Sequence, residues 1–200
     1  MRMKLYYSPG ACSLSPHIVA EEAGIALAYE KVDLATHKTA SGADFYAINP
    51  KGYVPALLLD DGSLLSEGPA IVQYLADLRP ESGLIPTHGT ARYQVIEWLA
   101  YINSEMHKTF SPLFAPAADE AKAEAREKLA KRFAYVDGAL AGKSYLMGDT
   151  FTAADAYLFV MTSWALFQKI AVPANVAAFR ARMTARPAVH AALKAEGLTA

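Results

Sequence analysis

The rhythm of apolar and polar positions changes along the chain. Met3–Tyr7 is a short apolar run that reads as a strand, and Ser8-Pro9-Gly10 breaks it. A helix is predicted next, with Ser15 as its cap, Pro16 at its first position and Gly24 as its stop. Tyr29–Val32 is the second predicted strand. The polar stretch over residues 33–49 reads as loop, with one short helix over Asp44–Ala47. Ala56–Leu59 and Ser63–Leu65 flank Asp60-Asp61-Gly62, a strong hairpin signal. Pro69 then opens a helix carrying Ile71, Val72, Leu75 and Leu78 at helical spacing. The order β-α-β-α-β-β-α predicts a right-handed βαβ unit joined to an antiparallel hairpin, with helices covering the sheet.

Texture changes between Arg79 and Gly89, where Pro80, Gly83, Pro86 and Gly89 make a linker. Beyond it the pattern is helical. Segments near Thr90–Phe110, Glu120–Gly142, Thr152–Phe167, Asn175–Ala185 and Pro187–Ala195 are separated by breaks. The expectation is an α/β domain over residues 1–80, a linker over 81–89 and an all-α domain over 90–200. Thr152-Ala153-Ala154-Asp155 fits a capping box, so Asp155 is expected to stabilise a helix start and to do no chemistry.

Composition narrows the function classes. A formal net charge of −1 over 200 residues gives no field to gather nucleic acid or anionic lipid. The expected partners are small molecules or another protein chain. A single cysteine excludes an intramolecular disulfide and a multi-cysteine zinc site. Five scattered histidines show no H-x-x-x-H spacing, so no metal is expected. No signal-peptide pattern and no run of about eighteen apolar residues occurs. The chain is read as soluble and cytoplasmic, without a membrane role.

Four features carry candidate chemistry. Cys12 lies between the first strand and the first helix, where unpaired N–H groups and the helix dipole favour a thiolate. An inert buried thiol is an equal alternative on position alone. Val54-Pro55 precedes the third strand; if cis, it exposes backbone groups with which an extended peptide can pair, and if trans it is an ordinary strand start. Glu67-Gly68-Pro69 opens a helix, where N–H groups bind a carboxylate while Glu67 holds an ammonium; simple capping is the plainer alternative. His107-Lys108 sits late in the first long helix, beside a stripe of Ile96, Leu99, Tyr101 and Ile102. A core histidine and a solvated lysine are the default there.

In this order the four features resemble the beta-class (bacterial) cytosolic glutathione S-transferases. The resemblance is carried by Tyr7-Ser8-Pro9-Gly10-Ala11-Cys12-Ser13, by Asn49–Leu57, by Leu65–Ile71, by Ser104–Lys108 with Phe110–Phe114, and by the Thr152–Asp155 box. It spans essentially the whole chain. It implies a thioredoxin-like N-terminal domain, an all-helical C-terminal domain and a homodimer. It also implies glutathione as co-substrate, without a further cofactor, and a small electrophilic acceptor. By the same resemblance Val54-Pro55 is a cis bond that pairs with glutathione's cysteinyl unit, and Glu67 and Gly68 take its γ-glutamyl end. Cys12, with Ser13 beside it, faces the glutathione sulfur and is able to form a mixed disulfide. Ser104, His107 and Lys108 approach that site, and His37 or Lys38 takes the glycine carboxylate.

Three positions depart from the family pattern: His37 in place of Lys, Ala100 in place of Asn, and Gly68 where many transferases carry Ser. The last keeps an N–H and loses a hydroxyl hydrogen bond of roughly 0.5–1.5 kcal/mol. The expected reaction is attack of a glutathione thiolate, stabilised by the first helix and His107, on an apolar electrophile; Phe110, Phe114 and Trp164 are candidates to line its pocket, with plain core packing an at least equal alternative for them. Two alternatives stand beside it. One is a monothiol glutathione-dependent disulfide oxidoreductase, dithiol chemistry being excluded because Ser15 occupies the second C-x-x-C position. The other is a non-catalytic binding module.

Overall fold

Leu5, fully buried in strand β1 (Lys4–Tyr7), is the residue around which the sheet is assembled. β1 runs parallel to β2 (Ala28–Asp33), with Leu5 opposite Tyr29. On its other side it pairs antiparallel with β4 (Ala56–Leu58), with Leu5 opposite Leu57. The two-residue β3 (Lys38–Thr39) extends the β2 edge, and β5 (Leu64–Ser66) extends the β4 edge. The five-stranded order is therefore β3-β2-β1-β4-β5. This computed structural model describes residues 2–199.

One face of the sheet packs Tyr6, Val32, Val54 and Ala56 around Phe45, which is delivered by the short helix α2 (Phe45–Ile48). Asp44 caps α2 by accepting the Tyr46 N–H at 3.0 Å. Helix α1 (Leu14–Glu22) packs against α3 (Gly68–Asp77), and every residue from Leu14 to Ala20 is buried. A helix buried all round needs a second cover. It is supplied from far along the chain by α9 (Pro187–Ala195), which buries Val189, Ala192 and Leu193.

The helical region holds α4 (Gly89–Tyr101), α5 (Ser111–Phe114), α6 (Asp119–Leu140), α7 (Ala153–Phe167) and α8 (Ala174–Thr184). α7 is its central element, with Ala153–Thr162 buried without a break. The capping box forms as expected. Asp155 Oδ2 accepts the Thr152 N–H and hydroxyl, both at 2.8 Å, while Oδ1 accepts the Leu146 N–H at 2.9 Å.

Four sequence expectations differ in detail. α1 starts at Leu14, so Ser15 is not its cap; the Ser15 hydroxyl donates to Cys12 O at 2.9 Å. Pro16 is then the third helical residue, still among the first four, whose N–H groups have no intrahelical acceptor. β3 lies within a stretch read as loop, because two residues are too few to show alternation. The helix expected over Thr90–Phe110 is α4 followed by a π-helical turn (Ile102–His107) and a 3₁₀ turn (Lys108–Phe110). Lastly, the chain divides into one compact unit that runs to Ile85 and resumes at Arg186, and a second, Pro86–Ala185. The sequence reading instead continued the helical domain to residue 200. The Arg186 guanidinium binds both oxygens of Glu22 on α1, at 2.6 and 2.9 Å, which ties the returning segment to the first unit.

Candidate functional site

In the first unit, Cys12 occupies a tight loop between β1 and α1. Ser13 shapes that loop: its buried hydroxyl donates to Ser8 O at 3.2 Å and accepts the Ser8 N–H at 3.1 Å. Ser13 was expected to bind glutathione, but its side chain is turned inward and spent on the loop. Gly10 adopts a φ of +71°, which lets the chain double back before Cys12. The half-buried Cys12 thiol donates to Val54 O at 3.3 Å. Val54-Pro55 is a cis peptide bond. The thiol and the strand approach thus meet at one place, next to the start of β4.

Glu67 stands at the entry of α3 with φ +72° and ψ 117°, a region that non-glycine residues seldom adopt. Its Oε1 receives Lys51 Nζ at 2.6 Å and the Tyr53 hydroxyl at 3.2 Å, and Lys51 also reaches Ser66 Oγ at 3.0 Å. The hydrogen bond to Glu67 raises the Lys51 ammonium above its usual value. Burial first, then the Glu67 charge, raises the Tyr53 phenol. Gly68 follows at the first turn of α3, close enough to Pro55 that an added Cβ would meet its Cγ at 3.8 Å. Glu67, Gly68 and Pro55 are therefore neighbours.

Lys51 and Tyr53, which orient Glu67, were not among the expected site residues. The Lys51-Gly52-Tyr53 sequence is their only local signal, and Glu67 is distant along the chain. Gly52 is required where it stands. Its φ is +71°, and a Cβ there would collide with the Tyr46 ring at Cε1. Tyr46 also packs on His37, with ring centroids 4.4 Å apart and its hydroxyl 3.2 Å from His37 Nε2. His37 is itself in the left-handed region, at φ +52°, and its buried Nδ1 has no hydrogen-bond partner. Lys38 next to it is exposed on β3.

The second unit carries Ser104, His107 and Lys108. Ser104 and His107 lie within the π turn, whose wider pitch sets their direction differently from an α-helical continuation of α4. The Ser104 hydroxyl donates to Ala100 O at 3.0 Å, and Lys108 is exposed. His107 Nδ1 lies 2.5 Å from the Tyr157 hydroxyl on α7, and that hydroxyl donates its one proton to Asn103 Oδ1 at 3.0 Å. Nδ1 must then be the donor to Tyr157. In the neutral ring this leaves the lone pair on Nε2. Tyr157 and Asn103 were not anticipated, since 50 positions separate His107 from Tyr157.

Beside His107, Trp164 meets its ring edge-on at 4.9 Å and also contacts Phe110 and Phe114 at 5.4 and 5.0 Å. Phe114 stacks on Phe167 at 6.2 Å. Phe110 is fully buried, whereas Phe114 is 48% exposed and Phe167 75% exposed, so the group runs from core to surface. Among the described residues no three His, Cys, Asp or Glu side chains form a group able to hold a metal ion, and no helix is long and apolar enough to cross a membrane.

Comparison with known proteins identifies the family of the chain. Residues 10–78 match the family model for the glutathione S-transferase N-terminal domain, and residues 101–187 match that for the C-terminal domain. Glutathione S-transferase GstA of Escherichia coli O157:H7 is 49% identical over 200 residues, covering 98% of this chain and 100% of the relative. The chain belongs to the glutathione S-transferase family. Among solved structures, a sphingomonad glutathione S-transferase complexed with glutathione superposes on this transferase with a TM-score of 0.93 at 49% identity, covering 98% of this chain and 100% of the other. The bacterial beta-class enzyme of Sphingomonas chungbukensis gives 0.92 at 46% identity, with the same coverage. The transferase falls with these beta-class proteins. Its thioredoxin-like sheet unit and helical unit are the two parts of the family fold.

Proposed function

We propose that this transferase conjugates the thiolate of glutathione to small apolar electrophiles, with Cys12 facing the glutathione sulfur. The observation that carries the reading is the placement of the Cys12 thiol against Val54 O, at the cis Val54-Pro55 bond beside the start of β4. A tripeptide paired with the Val54 backbone would bring its own sulfur next to that thiol. Glu67 would take the γ-glutamyl ammonium and the N–H groups opening α3 its carboxylate. The glycine carboxylate falls to exposed Lys38, or to His37 once its ring leaves Tyr46. Ser104 and Lys108 are assigned to the same ligand. Ser13 would contribute through its backbone, its hydroxyl being engaged by Ser8.

In the conjugation step the glutathione thiol gives up its proton and its sulfur lone pair forms a C–S bond with the electrophilic carbon. The bond to the leaving group breaks with its electron pair. The proton passes to solvent, and His107, oriented by its Nδ1–H toward Tyr157, would help stabilise the thiolate, as the family resemblance implies. Phe114 and Trp164 supply an apolar surface for the acceptor and exposed Phe167 extends it, while Phe110, expected to line it, is fully buried and only backs the other rings. The Tyr157→Phe variant keeps the packing and removes the hydroxyl that orients His107. It is expected to lower kcat for conjugation roughly 2–10-fold, the worth of one hydrogen bond, with little change in KM for glutathione. Steady-state kinetics check it, and an unchanged kcat removes His107 orientation from the mechanism.

A thiol-transferase activity belongs to the same proposal. The Cys12 thiolate attacks one sulfur of oxidised glutathione, a mixed disulfide forms, and one reduced glutathione leaves. A cytoplasmic setting fits, because both sulfurs must be kept reduced. The homodimer is carried over from the family. The deciding experiment is intact-mass spectrometry after incubation with oxidised glutathione, alongside calorimetric binding of reduced glutathione. A single glutathione adduct in the wild type, absent from Cys12→Ala, supports the reading. Neither adduct nor binding would leave a transferase fold with another task.

A further inference from the structure

The segment that returns from Arg186 brings a carboxylate into the loop that carries Cys12. Glu196, just after α9, has a fully buried side chain. Its Oε2 accepts the Gly10 N–H at 2.9 Å, and its Oε1 lies 3.0 Å from Nδ1 of the buried His17 on α1. A carboxylate only accepts, so His17 Nδ1 carries the proton. Leu198 packs over the same place, its Cδ1 3.7 Å from where a Gly10 Cβ would stand. Gly10 and Glu196 are 186 positions apart in sequence.

Stability alone is a poor reason for this group. Burying a carboxylate costs several kcal/mol before its partners offset it, and apolar residues of similar volume often do as well. The surroundings are not fully satisfied either. His17 stacks on Tyr29 with centroids 4.1 Å apart, yet His17 Nε2 and the Tyr29 hydroxyl are both buried without a hydrogen-bond partner. Glu21 Oε1 is 4.0 Å from that nitrogen, and Tyr7 meets the His17 ring at 6.2 Å. Burial, then the charge of Glu196, raises the Tyr7 phenol. What the arrangement does secure is position. Ser13 ties the Ser8–Ser13 loop internally, and Glu196 anchors its outer limb to α1 through Gly10 and His17.

We propose that Glu196 is a positioning residue for Cys12: by holding Gly10 against His17 it fixes the loop in the conformation that sets the cysteine at the start of α1 and against Val54 O. The inference rests on the reading of Cys12 as the thiol that faces glutathione. A loop released from Glu196 would let the thiol drift from Val54 O and from the place at the start of α1 where it would meet a glutathione sulfur. Misplacement of about 1 Å at a reacting group is enough to change rates by up to about a hundred-fold.

The test is the rate of Cys12 alkylation by iodoacetamide as a function of pH in Glu196→Gln, with kcat, KM and melting temperature measured alongside. Glutamine keeps the volume and one acceptor but sets an amide N–H₂ against the other donor. The rate of Cys12 alkylation at a given pH is expected to change by about three-fold or more as the thiol leaves Val54 O and its accessibility changes. In conjugation kcat should fall roughly ten-fold, more than KM for glutathione rises. Leu198→Ala loosens the same loop without touching the carboxylate and should act in the same direction by a smaller factor, which keeps the test open if Glu196→Gln does not fold. An unchanged alkylation profile in the folded variants, with only a lowered melting temperature, overturns the proposal. Alkylation needs no glutathione, so a wild type that forms no glutathione adduct would overturn the functional reading on separate grounds.

Discussion

Asp155→Ala is expected to lower the unfolding free energy by about 3–5 kcal/mol, the scale of a buried, hydrogen-bonded charge removed from its partners. The side chain is fully buried and serves three donors: the N–H groups of Leu146 and Thr152 and the Thr152 hydroxyl. Alanine would leave two backbone N–H groups inside the protein without their acceptor, each costing about 1–3 kcal/mol. It would also remove a negative charge from the positive end of α7, the helix that centres the second unit. Asp155→Asn keeps the shape and one acceptor, so its loss should be roughly half as large. Chemical denaturation followed by tryptophan fluorescence measures both. A loss below about 1 kcal/mol for the alanine variant would reduce the box to an ordinary helix cap.

Glu67→Ala should weaken binding of reduced glutathione by about 10–150-fold, the worth of a hydrogen bond between charged groups. Lys51 and the Tyr53 hydroxyl both converge on Oε1, so the carboxylate is already aimed before a ligand arrives. The backbone at φ +72° adds a second, separable effect, because strain of this kind costs on the order of 1–3 kcal/mol in a residue with a Cβ. Glu67→Gly removes that strain along with the carboxylate. It should therefore bind glutathione as poorly as the alanine variant while unfolding at a higher denaturant concentration. The two variants would then share one loss of affinity and differ in stability. Calorimetry and urea unfolding on the two variants read them separately, and unaltered affinity in Glu67→Ala would take Glu67 out of the glutathione site.

Features set by neighbouring residues were legible in the sequence. Asp60-Asp61-Gly62 announces the hairpin of β4 and β5 because a turn is decided over a few positions. Thr152 and Asp155 announce the start of α7 for the same reason. The position of Cys12 was also legible, since one loop joins β1 to α1. Features made by distant residues were not. Ser13 was read as lining the site, yet its hydroxyl closes on Ser8, a choice set by how the loop folds back. The π turn over Ile102–His107 changes pitch without changing the apolar period that marked a helix there. Val54-Pro55 was ambiguous as a dipeptide, and it was the family resemblance that implied a cis bond. Tyr157 gives His107 its tautomer from α7, and Glu196 reaches Gly10 from the far side of the helical unit in sequence. No local pattern encodes either pairing.

The docking of α9 onto α1 also bears on how the protein is made. When Ile85 leaves the ribosome, the sheet and α1 have been synthesised, but Val189, Ala192 and Leu193 have not. Translation of Pro86–Ala185 takes roughly 5–20 s at ordinary elongation rates. Throughout that interval the face of α1 that α9 will cover stays open to chaperones and to other nascent chains. The unit whose residues emerge first is therefore completed last, after the helical unit has had time to form.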